Sequence, residues 1–316
     1  MNVPHIPVLR PEQLPISPGT PLDGRSKTVV SDLINPYGFV VFRDYDVTSD
    51  QEFHDFIECF GLPNFTYAES FSNAVRRNRT PRVFTANEAP PEIEIFLHHE
   101  MAQTLVFPGQ LFFFCERAPT EGGATPIGRS DLALEALEKA KPDFVAKIKS
   151  LGVRYRNAMP DSADLASGQG RSWRDTLNVA DRKQAEQRLT ELGYNFRWLD
   201  DGGISVQTPP LLAVDGFGRG KDVFFNQIVA AAAGWTNDES DEEPRLCYGD
   251  YSRIGQDDLD AAITACYEHT VDLEWQTGDI ALLDNLKVMH GRRPFSGSRS
   301  ILASLCTPIS RPSLVL

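Results

Sequence analysis

No stretch of this chain approaches the roughly 20 consecutive apolar residues that a membrane-spanning helix requires. Its first residues, Met1-Asn2-Val3-Pro4-His5-Ile6-Pro7, lack the basic and then apolar regions of a secretory signal. A membrane role is therefore not expected, and a cytoplasmic location is. Basic charge is also short: 31 Lys and Arg stand against 44 Asp and Glu, for a net charge of -13. A chain of that balance, without a basic stripe, is poorly suited to nucleic acid or to an anionic membrane surface. Paired cysteines are missing as well. Cys59, Cys115, Cys247, Cys266 and Cys306 are widely spaced, odd in number and free of any C-x-x-C pattern. That argues against zinc ribbons and redox pairs and predicts reduced, buried thiols. Internal repeats and low-complexity tracts are absent too.

What is present is globular composition, 41% hydrophobic and 24% charged over 316 residues, enough for a sizeable core. Lys27 to Pro36 reads as a helix stopping before proline, and Tyr37 to Phe42 as a strand. Thr48 to Phe60 reads as an amphipathic helix with Ser49 and Glu52 at capping-box spacing. Residues 61 to 91 look irregular and carry Arg76, Arg77, Arg79 and Arg82, a natural setting for substrate contacts. Glu94 to Gln103 reads as a strand, and Gln110 to Cys115 as a strand apolar on both faces. Helices follow Ser130 and Pro142. Residues 157 to 193 read as a lid or insert, and 237 to 243 as an exposed acidic loop. A hairpin spans Tyr194 to Val206 around Asp200-Asp201-Gly202-Gly203. Strands are expected at Val223 to Ile228, Ile280 to His290 and Arg299 to Cys306, with a helix from Asp257 to His269. Short strands interrupted irregularly by helices argue against a doubly wound parallel sheet. They favour one mainly β domain over 1–316 with inserted helices, built as two facing antiparallel sheets, a jelly roll.

The chemistry concentrates in Phe96-Leu97-His98-His99-Glu100-Met101-Ala102-Gln103. In an extended strand, side chains two residues apart share a face. His98 and Glu100 would then present an imidazole and a carboxylate together, two of the three ligands of a 2-His-1-carboxylate Fe(II) site. A distant histidine must complete the set, and His290 in Val288-Met289-His290-Gly291 is the candidate; His99 would face the other way. Beyond it, Arg292, Arg293 and Arg299 surround a turn marked by Gly291, Pro294 and Gly297. Arg299, beginning a strand beside the one that ends in His290, would reach the metal's neighbourhood. A guanidinium fork there suits a carboxylate, as the far end of 2-oxoglutarate would need. Arg293 is its competitor, and the Thr125 hydroxyl would donate to the same carboxylate. Arg82, Asn87 and Gln227 are candidate substrate contacts.

These segments, with Phe113-Phe114-Cys115-Glu116-Arg117-Ala118-Pro119, Gly122-Gly123-Ala124-Thr125-Pro126, Gly278-Asp279 and Asp284 through Phe295, resemble the TauD/TfdA (taurine dioxygenase-like) family of Fe(II)/2-oxoglutarate-dependent oxygenases. The closer likeness is to its syringomycin-biosynthesis hydroxylase-like and clavaminate synthase-like branch. The resemblance runs in the same order from about residue 84 to the C-terminus. It implies iron held by His98, Glu100 and His290, 2-oxoglutarate held by Arg299 and Thr125, and O2 as oxidant, on a double-stranded β-helix. Halogenating members of the family carry a small residue at the carboxylate position, so Glu100 points to hydroxylation or desaturation. The branch implies an amino acid or amino-acid-derived substrate in a biosynthetic pathway, free or presented on a carrier protein. Alternatives are a catabolic sulfonate or aryloxyacid dioxygenase, or a jelly-roll module that binds a metal or small acid without turnover. Oligomeric state, including a homo-oligomer, is left open.

Overall fold

A computed structural model of the chain describes residues 6–66, 76–87, 89–163, 170–234 and 244–314. The expected acidic loop at 237–243 and the 164–169 part of the expected lid lie outside the described residues. The chain opens with β1 (Val8–Leu9), α1 (Gly24–Tyr37), β2 (Phe39–Phe42), α2 (Asp50–Glu58), β3 (Asn64–Phe65), β4 (Phe84–Thr85) and β5 (Ile95–His98). It continues with β6 (Val106–Arg117), β7 (Glu121–Gly122), β8 (Thr125–Arg129), α3 (Ser130–Ala140), α4 (Pro142–Leu151) and β9 (Val153–Met159). Then come α5 (Trp173–Leu177), α6 (Arg182–Glu191), β10 (Asn195–Trp198), β11 (Ile204–Gln207), α7 (Ile228–Gly234) and β12 (Leu246–Tyr248). It closes with α8 (Gln256–Glu268), β13 (Thr270–Leu273), β14 (Ile280–Asp284), β15 (Val288–Arg292), β16 (Phe295–Ser296) and β17 (Ser300–Ser310).

Two sheets form the frame. The larger runs β1-β2-β14-β6-β17-β3, with β4 also on β17, and the smaller runs β13-β8-β15-β5. They share one core. Leu111, Phe113 and Cys115 of β6 and Ile301, Ala303 and Leu305 of β17 pack with Ile127 of β8, Leu273 of β13 and Val288 of β15. The alternate residues of β6, Phe112 and Phe114, point the other way and meet Phe53, Phe56 and Ile57 of α2. This explains why the strand reads as apolar on both faces: neither face meets water. Burying side chains of this size stabilises by about 1.5–3 kcal/mol each. The outer face of the smaller sheet is covered by a third cluster with α3, α4 and α8. All five cysteines are free and buried. No helix among the described residues is long and apolar enough to cross a membrane.

Several elements differ from the sequence reading. α1 continues through Pro36 and ends at Gly38, whose φ of 83° closes the cap onto Ile34 O. Its last-turn carbonyls at Asn35 and Pro36, which lack intrahelical partners, are satisfied by Lys287 and Arg129 side chains. Val223 to Ile228 forms no strand of its own; Asn226 Oδ1 accepts from Ile228 N at 2.8 Å and starts α7. The stretch from Ile280 to His290 is two strands in two sheets, not one. Asp284 Oδ1 accepts from Leu286 N at 3.1 Å and Asp284 O from Lys287 N at 2.9 Å, turning the chain from β14 into β15. Asp284, Asn285 and Lys287 mark the corner in the sequence, but the flanking apolar segments let the stretch read as one strand. The hairpin is present as β10–β11, with Leu199 N donating to Gly203 O at 2.8 Å. The region of the expected lid is built as the end of β9, α5 and α6, with a core of its own that includes Trp173, Leu177, Ala185 and Leu189.

The register between β5 and β15 is irregular: His290 faces His98, while Arg292 faces Ile95. Gly291 lies between them, and a Cβ there would overlap the Ile95 carbonyl oxygen. Gly291→Ala is therefore expected to destabilise the protein by about 1–3 kcal/mol and to weaken Fe(II) binding in parallel. Denaturant titration and a metal-binding assay on the same sample check this; an unchanged midpoint with full metal affinity would refute it.

Candidate metal centre

His98 ends β5, and His290 sits opposite it in β15. Their rings are 4.4 Å apart between centroids, and Phe113 of the larger sheet packs on His290 at 5.2 Å. Glu100 lies in a turn two residues past the end of β5, not within a ten-residue strand as the sequence suggested. Met101 takes φ of 59°, which ends strand geometry there. Even so, one nitrogen of each imidazole and one carboxylate oxygen lie within 4.8 Å of one another, the only such His/Cys/Asp/Glu group among the described residues. Glu100 and His290 are buried and His98 half-buried.

The surroundings prepare these groups for a cation. His98 Nδ1 is 2.8 Å from Phe96 O, which assigns its proton to Nδ1 and leaves Nε2 as the donor atom. Burial, then the neighbouring His290, pushes the His98 pKa down to about 4, so the ring is neutral near pH 7 and able to ligate. His290 Nδ1 is buried with no hydrogen-bond partner, and its Nε2 is 3.6 Å from Glu100 Oε2. Burial alone would raise the Glu100 pKa. Arg76 and the two histidines overcome it and hold the carboxyl well below the usual carboxylate range. Arg76 Nη2 donates to Glu100 Oε1 at 2.9 Å, leaving Oε2 turned toward His290. Two imidazoles, one of them with an orphaned buried nitrogen, and an ionised carboxylate fit a divalent first-row metal such as Fe(II).

What holds Glu100 in its turn is Asn285, fully buried at the β14–β15 corner. Asn285 Oδ1 accepts from Glu100 N at 2.8 Å, and Nδ2 donates to Glu100 O at 3.0 Å and to Pro108 O at 2.7 Å. Its own carbonyl faces His99 Nδ1 at 2.5 Å. His99 therefore faces away from the metal, as expected. Burial lowers its pKa to about 3, against the two backbone carbonyls its ring nitrogens face, Nδ1 that of Asn285 and Nε2 that of Phe224 at 3.1 Å. Gln227, expected as a substrate contact, is tied into the same scaffold: its Nε2 donates to His99 O at 3.0 Å, and its N donates to Tyr155 Oη at 3.1 Å.

The residues expected to hold the 2-oxoglutarate carboxylate lie on both sheets. Thr125 begins β8, two residues before Ile127, which faces His290. Its Oγ1 accepts from Trp275 Nε1 at 2.9 Å, so the hydroxyl hydrogen is left to donate. Arg299 does not neighbour the His290 strand as the sequence reading had it; the strand it precedes, β17, pairs with β6 in the larger sheet. It approaches from there, with Nε donating to Gly123 O at 3.1 Å. A Cβ at Gly123 would crowd the Arg299 side chain, at 3.1 Å from Cδ. Arg299 has no carboxylate partner among the described residues. Burial, then Arg292, lowers its pKa to about 10, so it remains a cation in want of an anion. Arg293, its competitor, already carries two carboxylate partners, Glu94 at 2.8 Å and Asp272 at 3.1 Å.

Arg82 is likewise corrected. It pairs with Glu58 of α2 and with Leu62 O, and approaches Cys306 Sγ at 3.6 Å. Cys306 belongs to the cluster on the outer face of the larger sheet, so the sheet separates Arg82 from the metal centre. Asn87 Oδ1 caps its own turn at Ala89 N, 2.9 Å, in a segment that Arg292 pins through the carbonyls of Ala89, Pro90 and Ile93. Arg76, Asn285 and Trp275 were missed as site residues. Arg76 was one of four arginines in an irregular stretch with nothing to single it out. Asn285 stood in a quoted motif, but its partner Glu100 is 185 residues away.

His98→Ala, Glu100→Ala and His290→Ala are each expected to abolish stoichiometric Fe(II) binding while leaving the fold intact. Asn285→Asp, which turns a donor toward two carbonyls into an acceptor, should weaken Fe(II) binding by about 10–100-fold. Anaerobic titration with circular dichroism as control tests both; wild-type affinity in Asn285→Asp would remove the clamp from the site.

Comparison with known proteins agrees with this geometry. Residues 5–305 match the model of the "Taurine catabolism dioxygenase TauD, TfdA family". The chain is 37% identical over 281 residues to a clavaminate synthase-like protein of Arabidopsis thaliana, covering 89% of this chain and 84% of the other. Among solved structures, it superposes on PvcB, an Fe, alpha-ketoglutarate dependent oxygenase from an isonitrile synthetic pathway. The TM-score is 0.54 at 14% identity, over 96% of this chain and 88% of that one. It also superposes on an asparagine oxygenase solved with Fe(II), 3-hydroxyasparagine and succinate, with a TM-score of 0.52 at 13% identity, over 89% and 79%. With His98, Glu100 and His290 brought together and Arg299 left without a counter-charge, the chain belongs to the TauD/TfdA family and is an Fe(II)- and 2-oxoglutarate-dependent oxygenase.

Proposed function

We propose that this enzyme hydroxylates or desaturates an unactivated C–H bond of an amino acid or amino-acid-derived substrate in a biosynthetic pathway. For hydroxylation the balance is R–H, 2-oxoglutarate and O2 giving R–OH, succinate and CO2. The observation that carries the oxidative reading is the carboxylate at position 100, ionised and facing His290. The substrate class rests on the likeness to the asparagine oxygenase and to PvcB. The two facing sheets are read as the walls of a double-stranded β-helix, and residues 157–193 as an insert in a single domain. Free amino acid and carrier-bound aminoacyl group are both compatible with the site.

Iron, when bound, supplies the redox chemistry that couples loss of CO2 from the oxo acid to C–H oxidation. The protein's own groups do the rest. His98, Glu100 and His290 would hold the ion on one face, leaving the opposite positions open. Arg299 and the Thr125 hydroxyl would hold the far carboxylate of 2-oxoglutarate, orienting its oxo acid end. Phe113, packed on His290, excludes water from that side.

Arg299→Ala is expected to raise the KM for 2-oxoglutarate by about tenfold or more, since a buried charge-assisted bond to a carboxylate is worth roughly 1.5–3 kcal/mol. The Kd for Fe(II) should be unchanged. Substrate identity is tested by succinate release and product mass spectrometry with free amino acids, carrier-bound aminoacyl groups, taurine and aryloxyacetates. Stimulation by an amino acid or its carrier-bound form is expected. Turnover of taurine or aryloxyacetates alone would replace this reading with a catabolic one.

A further inference from the structure

The two oxygens of Glu100 have different environments. Oε1 accepts from Arg76 Nη2 at 2.9 Å, with both side chains under a tenth exposed. Oε2 is 3.6 Å from His290 Nε2. The Arg76 guanidinium also lies over the Phe84 ring at 5.2 Å. The next residue ties this segment to β4: Arg77 N donates to Thr85 Oγ1 and Thr85 N donates to Arg77 O, each at 3.0 Å. Since β4 pairs with β17 in the larger sheet, Arg76 reaches from one sheet to a residue placed by the other.

We propose that Arg76 is a positioning residue that restricts Glu100 to ligation through one oxygen. The proposal rests on His98, Glu100 and His290 being the metal ligands. Asn285 fixes the Glu100 backbone at both its N–H and its C=O, so the remaining freedom is rotation of the side chain. A carboxylate with both oxygens unengaged can swing to chelate a divalent ion with both. Three protein donors leave three of six positions, two for the oxo acid and one for O2. A second oxygen from Glu100 would take the last. By holding Oε1 in a charge-assisted bond inside a desolvated pocket, where such bonds are strongest, Arg76 keeps Oε1 off the metal and that position open. A mere fold staple would contribute to stability without affecting how many ligand positions stay free.

Nitric oxide, which binds ferrous iron at an open position, reads this out without turnover. The whole protein is loaded anaerobically with Fe(II) and 2-oxoglutarate and titrated with nitric oxide, following the paramagnetic resonance signal of the adduct. Arg76→Met is expected to retain Fe(II) and 2-oxoglutarate but to bind nitric oxide about tenfold more weakly, in the range found for residues that orient metal ligands. Arg76→Lys, which keeps a cationic donor, should restore most of the affinity. If the methionine variant does not fold, Arg76→Gln takes its place with the same expectation. Wild-type nitric oxide affinity in the apolar or amide variant overturns the proposal, as does loss of Fe(II) itself in a folded variant. Failure of the unmodified protein to bind Fe(II) would instead refute the ligand set.

Discussion

Two parts of the chain 185 residues apart are joined by the side-chain amide of Asn285, which bonds both the N–H and the C=O of Glu100. The metal centre depends on that junction. His98 and His290 are already brought opposite each other by strand pairing, which backbone hydrogen bonds enforce. Glu100 has no such support, because the strand has ended and Met101 turns the chain into the left-handed region. For a residue other than glycine that conformation costs about 1–3 kcal/mol, and it persists only where neighbours over-determine it. Asn285, with His99 and Gln227 on either side, does so by satisfying every buried polar group of the turn that it reaches. The same residue sits at the corner where the chain leaves the larger sheet for the smaller, so the fold's crossing point and its ligand clamp coincide.

Electrostatics completes what the clamp begins. Burial alone would favour the neutral forms of His98 and Glu100, which suits an imidazole and disables a carboxylate. The two kinds of ligand therefore need different neighbours. His98 stays neutral because burial, then His290, outweighs Glu100 and the Phe96 carbonyl, which favour the charged ring. Glu100 receives Arg76, which keeps it charged in a pocket that would otherwise protonate it. Arg299 occupies the complementary situation: among the described residues, a largely desolvated cation with carbonyl and ring contacts and no carboxylate. Its charge is unmatched until an anion arrives. That unmatched state costs stability and is tolerable because the scaffold around it is well packed.

The sequence made much of the centre legible because its signals are local or chemically rare. His-x-Glu needs only two neighbouring residues, and few histidines exist to complete it: six in the chain, of which His290 lies in a glycine- and arginine-rich turn. Arg82 and Gln227 misled for one reason. A polar residue near a motif in sequence can face either side of a sheet or point into the scaffold, and period-two alternation cannot be tracked through an irregular segment. Arg82 went to the outer face to meet Glu58. Gln227 went beneath the ligands to meet His99.

The linear order of residues determined the ligand types, the family and most helices and strands, since each of these depends on composition, short motifs or short-range periodicity. Only the tertiary structure decided that Ile280 to His290 is two strands, that Glu100 stands in a strained turn, and that Arg76 and Asn285 serve it. Those facts arise from contacts between segments remote in the chain. Which remote groups meet is fixed by sheet pairing and core packing, and no local pattern encodes it.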